Sequence, residues 1–458
     1  MKKIKFLIMA IVMITVTNLF AQWETDVRLT FDDSTSFTSN HAKCIAAEGD
    51  TIHVVWRDGR DGNKEIYYKH SNDAGTNWGA DTRLTDDPAS SVRPSVAVSG
   101  SNVHVVWYDV RDGNAEIYYK CSIDAGVNWG TDTRLSEDTV HSVDPNITVS
   151  DSNLHVVWSD YPYENIYYKR STNGGTTWDI DTVLTFDTAG SWNPSVAVSG
   201  SYVHIVWCDN RDGNPQTYYK RSADGGTTWG NDIRLTYESI NTYNPYIAVS
   251  GLYVHVVWYD ERNSDEEIYF KRSPDNGTNW GADIRLTDDP GWSWFPHIAV
   301  SGSNVHVVWY DDRDGNWEIY YKRSTDAGTT WGIDTRLTND SGYSRLPTIE
   351  TSGSYTHVVW SEDRDGNHEV YYKRNPTGNV GVEEPIVTIS KVGTNINLKW
   401  DPVLCASYYN VYSSTDPYAS FPSGWTLEPT GIHITTTTWN DPVSGVGNKK
   451  FYRVTAEN

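Results

Sequence analysis

A tetrapeptide, His-Val-Val-Trp, opens at His53, His104, His155, His255, His306 and His357, with His-Ile-Val-Trp at His204, so it returns every 49 or 51 residues. A period near fifty leaves room for four short strands, and one four-stranded sheet cannot bury both its faces alone. Neighbouring sheets that close into a ring solve that problem, so the period predicts an all-β, seven-bladed β-propeller. Ahead of each anchor runs an apolar strand such as PSVAVSG from Pro94. After it come EIYYK from Glu65, rich in β-formers, and then DTRLT from Asp81.

The ends of the array predict how the ring closes. The seventh repeat stops at Asn375 with no fourth strand, whereas Trp23 to Thr30 is a fourth strand with no repeat before it. Pairing the two completes the last blade and leaves no open edge.

The remaining chain divides readily. Residues 1–21 read as a secretory signal: Lys2, Lys3 and Lys5, an apolar run from Phe6 to Val16, and a cleavage site near Ala21. The run is too short to stay as a membrane span, so an exported, monomeric protein is expected, secreted or at the cell surface. The formal charge of −23 becomes −26 once the three leader lysines are removed, which argues against nucleic acid and anionic membranes as partners. Four cysteines at unrelated repeat positions make no disulfide framework. The propeller is assigned to 22–375, a linker to 376–384 and a second all-β unit to 385–458. In that unit Leu398-Lys399-Trp400, Tyr408 to Tyr412 and Phe451 to Ala456 are strands whose spacing resembles a fibronectin type III module with a short or missing last strand.

Between third and fourth strands lies Ser71-Asn72-Asp73-Ala74-Gly75-Thr76-Asn77-Trp78, repeated from Ser122, Ser171, Ser222, Ser273 and Ser324. Its chemistry is that of a turn: the acid accepts amide hydrogen bonds, glycine takes positive φ, and tryptophan packs beneath the hairpin. The pattern resembles the Asp-box (BNR) repeats of the sialidase-like propellers over Trp23 to Asn375. Asp73, Asp124, Asn173, Asp224, Asp275 and Asp326 hold the acid position and are expected to be structural. The resemblance places any ligand on the opposite face.

That opposite face carries Asp-x-Arg-Asp-Gly-Asn turns, at Arg60, Arg111, Arg211, Arg313 and Arg364. They read as tight turns with local ion pairs, as ligand contacts, or as a calcium site, although the spacing fits no recognisable calcium loop and no cofactor is assigned. The position two before each strand-opening proline differs in every blade: His41, Val92, Val143, Trp192, Tyr243, Trp294 and Arg345, with Trp292 and Phe295 beside it. A position that varies while its neighbours repeat is free of scaffold demands. Aromatic faces beside polar groups suit a sugar ring, and they also suit shielding of blade junctions. The repeated histidine cannot converge on one ion and is expected to make interblade hydrogen bonds.

The resemblance also implies a catalytic set. Tyr343-Ser344-Arg345-Leu346-Pro347 and Glu362-Asp363-Arg364-Asp365 come closest to the family's arginine motifs. Arg345 and Arg364 would then bind carboxylate, Asp365 would be the acid, and Tyr163 with Glu164 the nucleophile pair. Arg93 and Arg111 of blade two, with Trp192, Tyr243, Trp292 and Trp294, are the ligand-binding candidates. A third arginine is missing, and seven blades do not superpose on a six-bladed enzyme. Three functions therefore stand: a propeller binding extracellular glycans or glycoproteins, an exo-sialidase or other glycoside hydrolase, and a protein-binding scaffold.

Overall fold

In the computed structural model the described residues are 23–378, apart from 40–41, 138, 163, 187–188, 238 and 263–264, and six strands between 387 and 457. Seven antiparallel sheets follow one another along the chain, the first six with their strands in sequence order from the innermost outward. Blade two shows the plan: Ser91–Ser99 innermost, then Asn102–Asp109, Glu116–Ser122 and the two-residue Thr133–Arg134. In blade one the innermost strand comes as two pieces, Ser36–Phe37 and Ile45–Glu48, both paired with Thr51–Asp58.

Closure follows the expectation. Val27 and Arg28 pair antiparallel with Tyr372 and Tyr371, so the chain's start supplies the outer strand of blade seven. The side chains copy the other blades: Arg28 and Thr30 bond Glu369 just as Arg83 and Thr85 bond Glu65. Trp23 sets its edge on Tyr321, centroids 5.0 Å apart, the place that the turn tryptophan fills elsewhere, as Trp129 does on Tyr68.

The core lies between blades. The tryptophans of the repeated tetrapeptide, Trp56 to Trp360, are wholly buried, and all but Trp158 donate the indole N–H to an acid two residues on, as Trp56 does to Asp58 at 2.8 Å. The turn between third and fourth strands is built as expected: Asp73 Oδ1 accepts from the Asn77 amide at 2.8 Å, and Ser71 Oγ accepts from the Gly75 amide at 2.9 Å. The tryptophan also reaches the preceding blade, Trp78 meeting Tyr372 edge-on at 4.8 Å, while Trp129 Nε1 donates to the Gly126 carbonyl of its own turn at 3.1 Å. Gly126, at φ 86°, has no room for a Cβ, which would fall 1.9 Å from Tyr68 Oη.

The histidine expectation needs correcting. His53 Nδ1 bonds Tyr68 Oη at 2.6 Å within its own blade, and it is the tyrosine hydroxyl that crosses, reaching the Ala125 carbonyl of blade two at 3.3 Å. The same relay joins blade seven to blade one through His357, Tyr372 and the Ala74 carbonyl. The imidazole reaches only its diagonal cross-strand neighbour, whereas the longer tyrosine extends beyond the sheet to the next blade.

Beyond the ring, Val387–Val392, Asn395–Trp400 and Thr438–Asp441 form one sheet, and Thr426–Leu427, Tyr408–Ser414 and Phe451–Glu457 form another. These contain the three strands expected there. The leader, and 379–384 of the linker, lie outside the described residues. Among the described residues no helix is long and apolar enough to cross a membrane.

Candidate functional site

From blade two onward each innermost strand carries the same β-bulge just before its proline. In blade two Val92 faces Tyr108 and Ser95 faces Val106, with the register broken between. The residue before the proline is driven to positive φ: Arg93 54°, Asp144 58°, Asn193 53°, Asn244 50°, Phe295 50° and Leu346 55°. Asn and Asp tolerate this region, but Arg, Phe and Leu are strained there, and such strain is held where the surrounding fold imposes it. The bulge breaks strict alternation, so two adjacent side chains per blade stand at the mouth of the ring.

The turn arginines do not serve that mouth. Arg111 bonds Asp109 at 2.6 Å and Asp132 at 2.8 Å, and its guanidinium lies 4.3 Å over the Tyr118 ring. Arg364 pairs with Glu362, with Asp26 at 2.7 Å and with Asp340 at 3.1 Å. Asp365 accepts from Tyr371 Oη and pairs with Arg28 at 3.0 Å, much as Asp112 holds Tyr118 and Arg134. The sequence-based roles of Arg111, Arg364 and Asp365 are therefore corrected: each belongs to an ion-pair buttress repeated around the ring. Their neighbours hold the two guanidinium groups firmly charged, far above any working pH.

Two arginines stand apart. Among the described residues of the ring, Arg57 and Arg345 are the arginines with neither a salt bridge nor a hydrogen bond. Arg57 lies over the Phe37 ring at 4.6 Å and Arg345 over Tyr343 at 4.7 Å. The Arg345 Nε is buried without a partner. His368 packs tilted against Phe37 at 4.4 Å; burial lowers its pKa, with Arg345 and Arg57 adding to the effect against Asp363. Burial likewise lowers Arg57 and Arg93, and Arg93 acts on Arg57 in the same direction. Arg93 is itself paired with Asp144. Blades one, two and seven thus bring Arg57, Arg93, Arg345 and His368 into one electrostatic neighbourhood.

Blades five and six supply an arc of rings. Tyr243 meets Tyr259 at 5.5 Å, Tyr259 meets Phe295 at 5.7 Å, and Phe295 stacks on Tyr310 at 5.6 Å. Tyr310 meets Trp294 edge-on at 6.1 Å. Trp294 in turn stacks on Trp317 at 4.7 Å and on the exposed Trp292 at 5.5 Å. Arg345 acts electrostatically on Tyr310, so the cations adjoin the rings. Glu266 lies among them too: burial raises its pKa, as do Glu261 and Asp265, and Trp294 opposes.

The other candidates fall elsewhere. Trp192 is half-buried in blade four, outside the arc. Tyr163 and His41 lie outside the described residues. Glu164, at φ 53°, packs its carboxylate where Gly190 lacks a Cβ. It belongs to blade three, and no contact brings it to Arg345. The structure adds Arg57, Tyr259, Tyr310, Trp317 and His368, which sequence reasoning missed. The residue before the acid that ends each second strand runs Arg57, Tyr108, Ser159, Cys208, Tyr259, Tyr310, Ser361, a second variable position that would have revealed three of them. Behind the mouth, the channel between innermost strands is narrowed by Tyr246 packed tilted against His297 at 3.8 Å and holds a cavity of about 210 Å³. Among the described residues no group of His, Cys, Asp or Glu is placed to hold a metal ion.

The fold and mouth define a class: a seven-bladed propeller with an aromatic, cation-bearing entrance. No family model matches the chain, and no curated protein matches it. Among solved structures it is similar to the polysaccharide lyase Uly1 at TM-score 0.53 and 12% identity, over 77% of this chain and 99% of that one. It is also similar to the phage phi92 endosialidase, at TM-score 0.46 and 10% identity over 77% of this chain and 68% of that one. A Trypanosoma rangeli sialidase in complex with 2,3-difluorosialic acid follows, at TM-score 0.44 and 12% identity over 78% of this chain and 59% of that one. At these identities the likeness is one of fold.

Proposed function

We propose that the protein is a secreted propeller that binds extracellular carbohydrate at the bulged mouth, on the face opposite the Ser-x-Asp turns, which we read as Asp-boxes. The observation that carries this is the pairing of Arg57 and Arg345, cations left unneutralised in a chain of charge −23, with the aromatic arc beside them. Rings take the C–H face of a sugar and free guanidinium groups take its oxygens or an acidic substituent. The C-terminal strands are read as a fibronectin type III-like spacer. The likeness in fold to the polysaccharide lyase Uly1 is in keeping with a carbohydrate ligand.

One observation favours a catalytic reading. Glu266 is a partly buried carboxyl with a raised pKa beside the rings, the kind of group that donates a proton to a leaving oxygen. A glycan array with the purified chain, run beside a fluorogenic sialoside assay, separates the two. Binding without sugar release, lost in Arg345→Ala, supports the binding reading. Turnover lost in Glu266→Gln supports a glycoside hydrolase. Absence of sugar binding, with a polypeptide captured at the mouth, supports a protein-binding scaffold.

A further inference from the structure

Resting on the carbohydrate reading, we infer that the ligand is an extended anionic polysaccharide rather than a single terminal sugar, lying along the arc from Tyr243 to Trp292 with acidic groups directed to Arg345 and Arg57.

The arc is a track and not a cup. Its consecutive centroids from Tyr243 through Tyr259, Phe295, Tyr310 and Trp294 to Trp292 are separated by between 5.5 and 6.1 Å, so each ring packs on the next without a gap. Tyr310 is buried and supports the middle. Phe295, Tyr259 and Tyr243 are half-buried, and Trp292 is 45% exposed at the far end. A site for one terminal residue needs one or two ring faces at the bottom of a pocket. Here rings continue across two blades to the rim, and Trp292 is held there by its amide, which bonds Asp312 Oδ1 at 2.8 Å.

Charge selects the class of polymer. Most other arginines of the ring are paired with acids, and Arg221, Arg272 and Arg323 hydrogen-bond neutral oxygens. Arg57 and Arg345 have neither, and the Arg345 Nε is buried without a partner, as is that of the ion-paired Arg60, Arg111 and Arg285. A buried guanidinium N–H without an acceptor is costly, and a ligand oxygen arriving there removes that cost. Carboxylate- or sulfate-bearing sugars meet this need; neutral ones do so only weakly.

The test is affinity electrophoresis of the full chain through gels containing polygalacturonate, alginate, hyaluronan or chondroitin sulfate, against amylose, xylan and galactomannan. Calorimetry with size-fractionated oligosaccharides of any retarding polymer follows. Retardation by an anionic polymer is expected, with affinity rising at least tenfold from disaccharide to hexasaccharide. Trp292→Ala should remove about tenfold of that gain while leaving the disaccharide unchanged, the size expected for one ring face. Arg345→Gln should flatten the salt dependence. Retardation by neutral polymers alone, or equal affinity for short and long chains, overturns the inference and leaves the carbohydrate reading standing. Failure of every polymer and of the glycan array overturns both.

Discussion

Lowering the pH from 7 to 5 should destabilise the ring steeply, because the histidine that opens each second strand is buried and neutral. Burial holds His53, His204, His255 and His357 at a pKa of about 3, and His104 and His155 at about 4, against 6.5 in the unfolded chain. The folded values lie below the unfolded one. The unfolded state therefore binds more protons throughout that window, and stability falls as pH drops below about 6.5. Two carboxyls act in the opposite sense: burial raises Glu362 to about 7 and Asp289 to about 6, so folding takes up protons there. At pH 5, six histidines against two carboxyls leave a net uptake of about four protons on unfolding, or about 5 kcal/mol per pH unit. Smaller upward shifts at Glu267 and Glu369 trim that figure, and His297, also held neutral by burial, adds to it. Denaturant midpoints at pH 7, 6 and 5, with proton uptake measured by calorimetry in buffers of different ionisation enthalpy, test it. Resonances of these strand-opening histidines titrating near 6.5 in the folded protein, or uptake below one proton at pH 5, would refute the reasoning.

Blade five offers a gain of stability. His255 faces Phe270 where the other blades present a tyrosine, and neither ring nitrogen has a hydrogen-bond partner. Phe270→Tyr should add the missing relay and stabilise by about 1–2 kcal/mol, read as a higher unfolding midpoint. Arg111→Ala and Arg345→Ala should behave oppositely. The first breaks the pairs with buried Asp109 and with Asp132, costing about 3 kcal/mol of stability with glycan binding retained in the folded protein. The second should abolish binding with the midpoint unchanged. Deleting 22–30 should expose the third strand of blade seven as a bare edge, and size-exclusion chromatography should show self-association or unfolding.

The ring was legible because its determinants are local and repeated. Tetrapeptide, glycine turn and leftover end strands each encode a contact that recurs blade after blade, so a single repeat discloses all of them. The mouth was only half legible. Variation before the proline pointed to Tyr243, Trp294 and Arg345, but the sequence could not show that Arg364 and Asp365 are held by Asp26 and Arg28 from the other end of the chain. Nor could it separate a free arginine from a paired one. Arg57 and Arg111 sit in similar strings, and only the fold reveals that one is neutralised and the other is not.

The bulge before each proline has a further consequence. Arginine, aspartate, asparagine, phenylalanine and leucine all occupy it within 8° of one another in φ, so backbone geometry at the entrance is indifferent to what is mounted there. Each blade thus offers a socket whose occupant can be exchanged without reshaping the wall. Changes of ligand preference in such a molecule can accumulate one side chain at a time.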